Sequence, residues 1–398
     1  MTPTPPTPDG SCAAEAHTAL RQWHTWREIH AQPAVWRAWE PRLAQQLSAL
    51  QAWLQQARHA AVWFCGAGSS AFIGEALASH LNARSATPCG RAGAATARYR
   101  ALATTDLVAQ PRHFLPADLP GPLLVVSFGR SGNSSESLGT LDALDALAPD
   151  ADRLHITCNA AGALALRAVP GPGGLRTLVL PAQTDDAGFA MTSSFTTMLL
   201  SALACFDTAP PQPLAQLLPR LADAAANVLQ ALPAWADRPD QGRPERAVFL
   251  GSGPLLGIAR ESALKVLELS AGAVATQWDS TLGFRHGPKA FVNAHTRVHV
   301  LVSADPHTRR YDLDVAQEIR RQFGAAAVCT IGPAAAQCDV VLPTAEHAGW
   351  SLVLYALFAQ YMAMHWSHAM GLNVDNPFAS GNLTRVVSGV TLYPVPAD

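Results

Sequence analysis

Leu124-Val125-Val126-Ser127-Phe128-Gly129-Arg130-Ser131-Gly132-Asn133-Ser134-Ser135-Glu136-Ser137 passes from an apolar run straight into small polar residues. The LGTLDALDAL that follows (138–147) has the period of an amphipathic helix. That order predicts a buried strand, a tight loop and a helix start. The loop offers backbone N–H groups, the hydroxyls of Ser131, Ser134, Ser135 and Ser137, and Arg130, all at the positive end of a helix dipole. Such a place suits a phosphate. No Gly-Lys-Ser/Thr follows, as a Walker loop would require, and the glycine spacing is not that of a dinucleotide site. A Ser/Gly turn that only caps a helix would read the same way in isolation, so the rest of the chain has to decide.

Working outward, apolar stretches at 60–65, 123–127, 153–158 and 175–180 alternate with helical patterns at 71–82, 138–147, 160–168 and 189–206. This alternation predicts a parallel sheet with helices on both faces. In such sheets ligands sit beyond the carboxyl ends of the strands. Gly66-Ala67-Gly68-Ser69-Ser70 follows the first strand and the opening loop follows the second, so two independent turns converge on one crevice.

Beyond a proline-rich TAPPQP (208–213), a helix and RPDQGRPER (238–246), the pattern starts again. Strand 247–250 leads into Gly251-Ser252-Gly253-Pro254; 297–303, 327–331 and 340–343 echo the later strands, and each block closes in a long apolar helix. The second copy has Ala304-Asp305-Pro306-His307-Thr308-Arg309-Arg310 where the first has the serine loop. An acidic, proline-containing loop is a poor anion cradle, so the phosphate site is expected in the first copy alone. The expected units are a disordered tail 1–12, an N-terminal helical segment 13–57, a first α/β domain 58–207, a linker and helix 208–246, and a second α/β domain 247–398. Within 13–57, Gln32-Pro33 suggests that one helix ends and another begins. The five tryptophans there suggest packing across a domain or subunit boundary.

Composition narrows the function. The chain has 398 residues, 49% hydrophobic and 15% charged, with a net charge of −2. That suffices for a large core, and no basic run marks a nucleic-acid surface. Seven scattered cysteines without metal-type spacing read as reduced thiols of a cytoplasmic protein. The start of the chain has no charged region followed by an apolar one, as a secretory signal would. The apolar stretches 189–206 and 350–372 carry polar side chains throughout and read as buried or interface helices, not membrane spans. No metal or cofactor motif is present.

The second block adds charge of a different kind. Glu261, Lys265 and Glu268 stand at i, i+4 and i+7 of a helical ESALKVLELS. They form either an ordinary solvated ion-pair stripe or, if buried, a carboxylate able to move protons. His286 stands in Gly283-Phe284-Arg285-His286-Gly287-Pro288-Lys289, between an arginine and a Gly-Pro turn. It reads as a positioned loop histidine or a structural one.

Together, GAGSS, GRSGNSSES, ESALKVLELS and GFRHGP resemble the sugar isomerase (SIS) domain family. The tandem arrangement resembles the isomerase half of glutamine–fructose-6-phosphate amidotransferase. Arg27-Glu28-Ile29-His30-Ala31-Gln32-Pro33 is similar to that family's N-terminal segment. The AgaS-type galactosamine-6-phosphate deaminases, also described as tagatose-6-phosphate ketose–aldose isomerases, are more similar still through SFGRSGNS, FRHGPK and Asn376-Pro377-Phe378…Asn382-Leu383-Thr384-Arg385. The resemblance implies two tandem SIS domains, each a three-layer α/β/α unit. It implies Ser70, Ser131 and Ser134, flanked by Ser69, Arg130 and Gly132, as the sugar-phosphate site. Glu268 would carry the proton between C1 and C2, His286, which in the family can arrive from the partner subunit of a homodimer, would open the ring, and Lys265 would stand beside the glutamate.

Two departures matter. There is no glutaminase domain, so ammonia cannot be drawn from glutamine. Arg385 replaces the family's Schiff-base lysine, and a guanidinium cannot form that imine. The expected activity is release of ammonia from an aldosamine 6-phosphate with isomerisation to the ketose 6-phosphate, galactosamine 6-phosphate giving tagatose 6-phosphate. The alternatives are a plain aldose–ketose isomerase and a sugar-phosphate-binding regulator.

Overall fold

The computed structural model describes residues 18–85, 97–116, 121–343 and 348–395; the expected tail 1–12 lies outside them, as do Cys12 and Cys89. Among the described residues ten strands form two five-stranded, wholly parallel sheets. The first holds β1 (Ala61–Gly66), β2 (Arg98–Ala103), β3 (Leu123–Gly129), β4 (Asp152–Thr157) and β5 (Leu175–Val179). The second holds β6 (Arg246–Gly251), β7 (Ala275–Asp279), β8 (Thr296–Leu301), β9 (Val328–Pro333) and β10 (Val340–Leu342). Their orders, β2-β1-β3-β4-β5 and β7-β6-β8-β9-β10, are the same, as the repeat predicted. The edge strands β2 and β7 went unread in the sequence, because both are half-exposed and lack an apolar run.

Helices longer than two turns are α1 (His24–Ala57), α2 (Ser69–Ser85), α3 (Ser135–Leu147), α4 (Ser193–Phe206), α5 (Leu214–Ala236), α6 (Leu255–Leu269), α7 (Pro306–Phe323) and α8 (Ala348–Ala369). One large core joins residues of both sheets to α1, α2, α4, α5, α6 and α8. Smaller cores lie under α7 on the second sheet and under α3 on the first. Every residue of α4 is buried, and no described helix is long and apolar enough to cross a membrane.

The helix break expected at Gln32-Pro33 does not occur; α1 runs through both Pro33 and Pro41. Proline at 33 leaves the Ile29 carbonyl without its usual N–H donor. Gln32 Nε2 reaches that carbonyl at 3.3 Å and also donates to Gln360 Oε1 at 2.9 Å, while Thr196 Oγ1 donates to Gln32 Oε1 at 2.6 Å. A buried side-chain network thus replaces the missing backbone bond. Helix α4 begins four residues later than its apolar run. The Asp186 carboxylate accepts from the N–H groups of Thr192, Ser193 and Ser194 at 2.8, 2.9 and 3.0 Å, fixing the start.

Candidate active site

The strand order reverses between β1 and β3 and again between β6 and β8, which makes two switch-point crevices beyond the strand ends. The first is built by both predicted loops. A Cβ on Gly66 would lie 2.5 Å from the Ser70 carbonyl carbon, and Gly68 has φ +54°. Glycine is therefore required for the chain to turn from β1 directly into α2. Gly251 and Gly253 (φ +58°) repeat the device after β6.

In the loop after β3, Gly132 has φ +66° and a Cβ there would crowd Leu164 and Thr157. Ser134 is the N-cap of α3, accepting from Ser137 N at 3.4 Å and bonding to Ser137 Oγ at 2.7 Å. Ser131 Oγ accepts from Asn133 N at 3.2 Å. Capping and anion binding are compatible, because a capping Oγ accepts through its lone pairs, which leaves the Ser131 proton and one proton of the Ser134–Ser137 pair to donate. Ser69 and Ser70 are buried at the start of α2.

Arg130 is the buried cation of this crevice. Its Nη1 donates to Gly188 O and Phe189 O at 3.4 and 3.2 Å, and its Nη2 to Arg385 O at 3.1 Å. Burial lowers its pKa, opposed by Asp186, Glu268 and Asp185 and reinforced by Arg385. Arg385 itself pairs with Asp185 at 2.8 Å and donates to the Asp186 carbonyl. The C-terminal segment therefore returns to the first sheet, and Val387 O takes the N–H of Ser135 at 3.3 Å.

Helix α6 brings the charged triad to the same place. It lies on α2 so closely that a Cβ on Gly257 would be 2.8 Å from Ala76 N and 2.9 Å from Phe72 O. Arg260 pairs with Glu75 across the contact. Burial excludes the solvated reading of the stripe: Glu261 and Lys265 are 1% exposed and Glu268 partly so. Lys265 Nζ bonds the Glu268 carboxylate and lies 3.6 Å from Glu261 Oε1. Burial alone would lower the Lys265 pKa, but Glu261 and Glu268 outweigh it and the net shift is upward, so the ammonium is kept. Glu261 was not singled out as a site residue from sequence, yet it is the more perturbed acid. Burial pushes it up to about 7, reinforced by Glu268 and opposed by Lys265 and the nearby Ser69 hydroxyl. Neither of its oxygens has a well-formed hydrogen bond.

His286 is not brought to this cluster within the chain. It is exposed in a 3-10 turn after β7, and its flanking cations are pinned elsewhere: Arg285 to Asp314 and Glu318, Lys289 to Glu318. The second switch point holds a carboxylate of its own. Register sets Ser303 where the first copy has Arg130, since Gly251 pairs with Leu301 and Cys65 with Ser127. The buried Asp312 carboxylate accepts from Ser252 Oγ at 2.7 Å and Ser303 N at 2.9 Å. A carboxylate thus stands where an anion would bind, and burial raises its pKa against the pull of those donors.

The chain matches no family model. It is 41% identical over 391 residues to D-galactosamine-6-phosphate deaminase AgaS of Escherichia coli, covering 95% of this chain and 97% of that one. It is 37% identical over 393 residues to the AgaS deaminase of Shewanella sp. ANA-3, covering 96% and 95%. The crystal structure of tagatose-6-phosphate ketose/aldose isomerase from Escherichia coli superposes with a TM-score of 0.81 at 38% identity, covering 94% of this chain and 97% of that one.

Proposed function

Because the chain belongs to the AgaS family of sugar isomerase (SIS) proteins, we propose that it converts an aldosamine 6-phosphate, D-galactosamine 6-phosphate first among them, and water into the ketose 6-phosphate and ammonia. The observation that carries this reading is the meeting of α6 with the serine loops. An acid, a protonated amine and a second, partly exposed acid face a crevice whose buried cation is Arg130.

The phosphate is read as the anchor, held by Ser69, Ser70, Ser131, Ser134, Arg130 and the backbone around Gly132. Glu268 then acts on the open-chain sugar. It takes the proton from C2, leaving an enolamine, and returns a proton to C1. The carbon skeleton becomes a C2 imine with C1 reduced to the alcohol level, and water adds at C2 and expels ammonia. No external oxidant or reductant is needed. Lys265, held charged between two carboxylates, can donate to O1 as negative charge develops there. The Arg385 guanidinium cannot form an imine with the sugar, so a covalent lysine intermediate has no role in this reading.

His286 is assigned to ring opening, supplied to the site of a second copy. Its exposure supports this, as do Leu267, Trp278 and Leu282, large apolar groups that are 41%, 40% and 41% exposed. Apolar groups of that size suit a homodimer face. The five described cysteines are buried thiols without disulfides, which supports a cytoplasmic setting.

Incubation with galactosamine 6-phosphate and glucosamine 6-phosphate, following ammonia and ketose together, tests the reading. Equal release of both products from the galacto sugar is expected. The similarity to a ketose/aldose isomerase supports a second reading, in which tagatose 6-phosphate is interconverted with its aldose; ketose turnover without ammonia from either amino sugar would select it.

A further inference from the structure

Behind Arg130 three distant segments are tied together by one carboxylate. Glu28, in the second turn of α1, accepts from Ala187 N at 2.6 Å and Gly188 N at 3.3 Å through Oε1. The next carbonyls along that backbone, Gly188 O and Phe189 O, are the ones that hold Arg130 Nη1. Gly188 has no room to move toward α1: a Cβ there would meet Thr25 Oγ1 at 2.5 Å and Glu28 Oε2 at 3.2 Å. The same strap is tied on its far side, where Phe189 N donates to Asp375 O at 3.0 Å. The Asp375 carboxylate in turn takes His24 N, Thr25 N and Thr25 Oγ1, each at 2.8 Å. Glu28 Oε2 is buried without a hydrogen-bond partner.

We propose that Glu28 is a positioning residue for the sugar-phosphate site, acting through the 187–189 backbone to aim the Arg130 guanidinium into the crevice. The inference rests on the reading of that crevice as the phosphate site. The charged groups that bear on Glu28 are Asp186 and Asp375; Arg130, Arg385 and Asp185 lie one bond further on, and Arg27 on α1 is turned away to the carbonyls of Arg21 and Gln22. Burial, reinforced by Asp186 and opposed by the two N–H donors, raises the Glu28 pKa to about 7. The clamp therefore changes charge near neutrality. Ionisation strengthens both N–H bonds and so sharpens the aim of Arg130. A carboxylate that acted only through its charge would do the reverse, repelling an anion as it ionised.

Sulfate, fully charged across the neutral range, is the probe, with its inhibition constant measured against substrate. Glu28→Ala is expected to raise both KM and the sulfate constant about tenfold, with kcat within about threefold. Glu28→Gln keeps the acceptor oxygen and should rescue most of that loss. The ratio of its sulfate constant to that of the unmodified enzyme should rise from about pH 6 to about pH 8. If Glu28→Ala does not fold, Gly188→Ala strains the same strap from the other side and is expected to raise KM similarly. A folded variant of either kind with unchanged KM and sulfate constant would overturn the proposal, as would a ratio that falls with pH. If sulfate does not compete with substrate on the unmodified enzyme, the phosphate reading of the crevice fails, and the KM of Glu28→Ala still decides whether Glu28 acts on the site.

Discussion

Glu261 and Glu268 sit a little under two turns apart on one helix, yet they live in different environments. Glu268 is partly exposed and bonded to Lys265, whereas Glu261 is sealed between α6 and α2 with no well-formed partner. Its pKa, raised to about 7 from an ordinary 4.5, links stability to pH. The folded chain holds the Glu261 proton more tightly than the unfolded one, so this contribution is complete below about pH 4.5. It is lost as pH rises through about 7. Glu261→Gln should therefore flatten the fall in unfolding free energy over that window, relative to the parent, by up to about 1.4 kcal/mol per pH unit at its steepest. Thermal unfolding at a series of pH values reads this directly; a parallel fall in both proteins would place the sensitivity in another group. The spacing of these acids was legible in the sequence. Their burial was not, because an i, i+4, i+7 charged stripe looks the same whether it faces water or a neighbouring helix.

At the level of elements, the site depends on how α6 lies on α2. Both helices start from the same glycine turn in the two copies, and both turns were readable as Gly66-Ala67-Gly68 and Gly251-Ser252-Gly253. The face on which they meet was not, since small residues such as Gly257 and Ala76 carry no pattern of their own. Gly257→Ala would drive a methyl into the backbone of α2 and lever Lys265 and Glu268 away from the serine loops. A loss of about 1–3 kcal/mol in stability is expected, as for an overpacked core. A fall in kcat of about tenfold or more should accompany it, with KM less affected. Steady-state kinetics on the purified variant check this; full kcat would mean that the helix contact does not set the geometry. The asymmetry between the copies was half legible. The acidic loop after β8 argued against an anion there, but the carboxylate that fills the place is Asp312, from the following helix and remote from that loop's own Asp305 in role.

For the whole molecule, the sequence showed two repeats and the family pattern, and hence the architecture. That His286 stands apart from Glu268 within one chain was implied only by the resemblance; no spacing or pattern of the residues themselves carried it. If a second copy supplies it, Glu268→Gln and His286→Asn are each inactive alone but complement when subunits exchange. A one-to-one mixture should regain about a quarter of full activity, because half of the randomly paired dimers would hold one intact site of two. No recovery with exchange verified would put both residues in one chain's site. The C-terminal segment adds a consequence for biosynthesis. Asp375 caps α1, the Arg385 carbonyl completes the shell of Arg130, and Val387 holds the loop at Ser135. The first sheet can assemble while the chain is still being made, but its anion loop cannot be finished until residues more than two hundred positions later have emerged. A chain truncated before residue 375 would lack all three of these ties, so its serine loop is expected to stay unfinished even where the first sheet has formed.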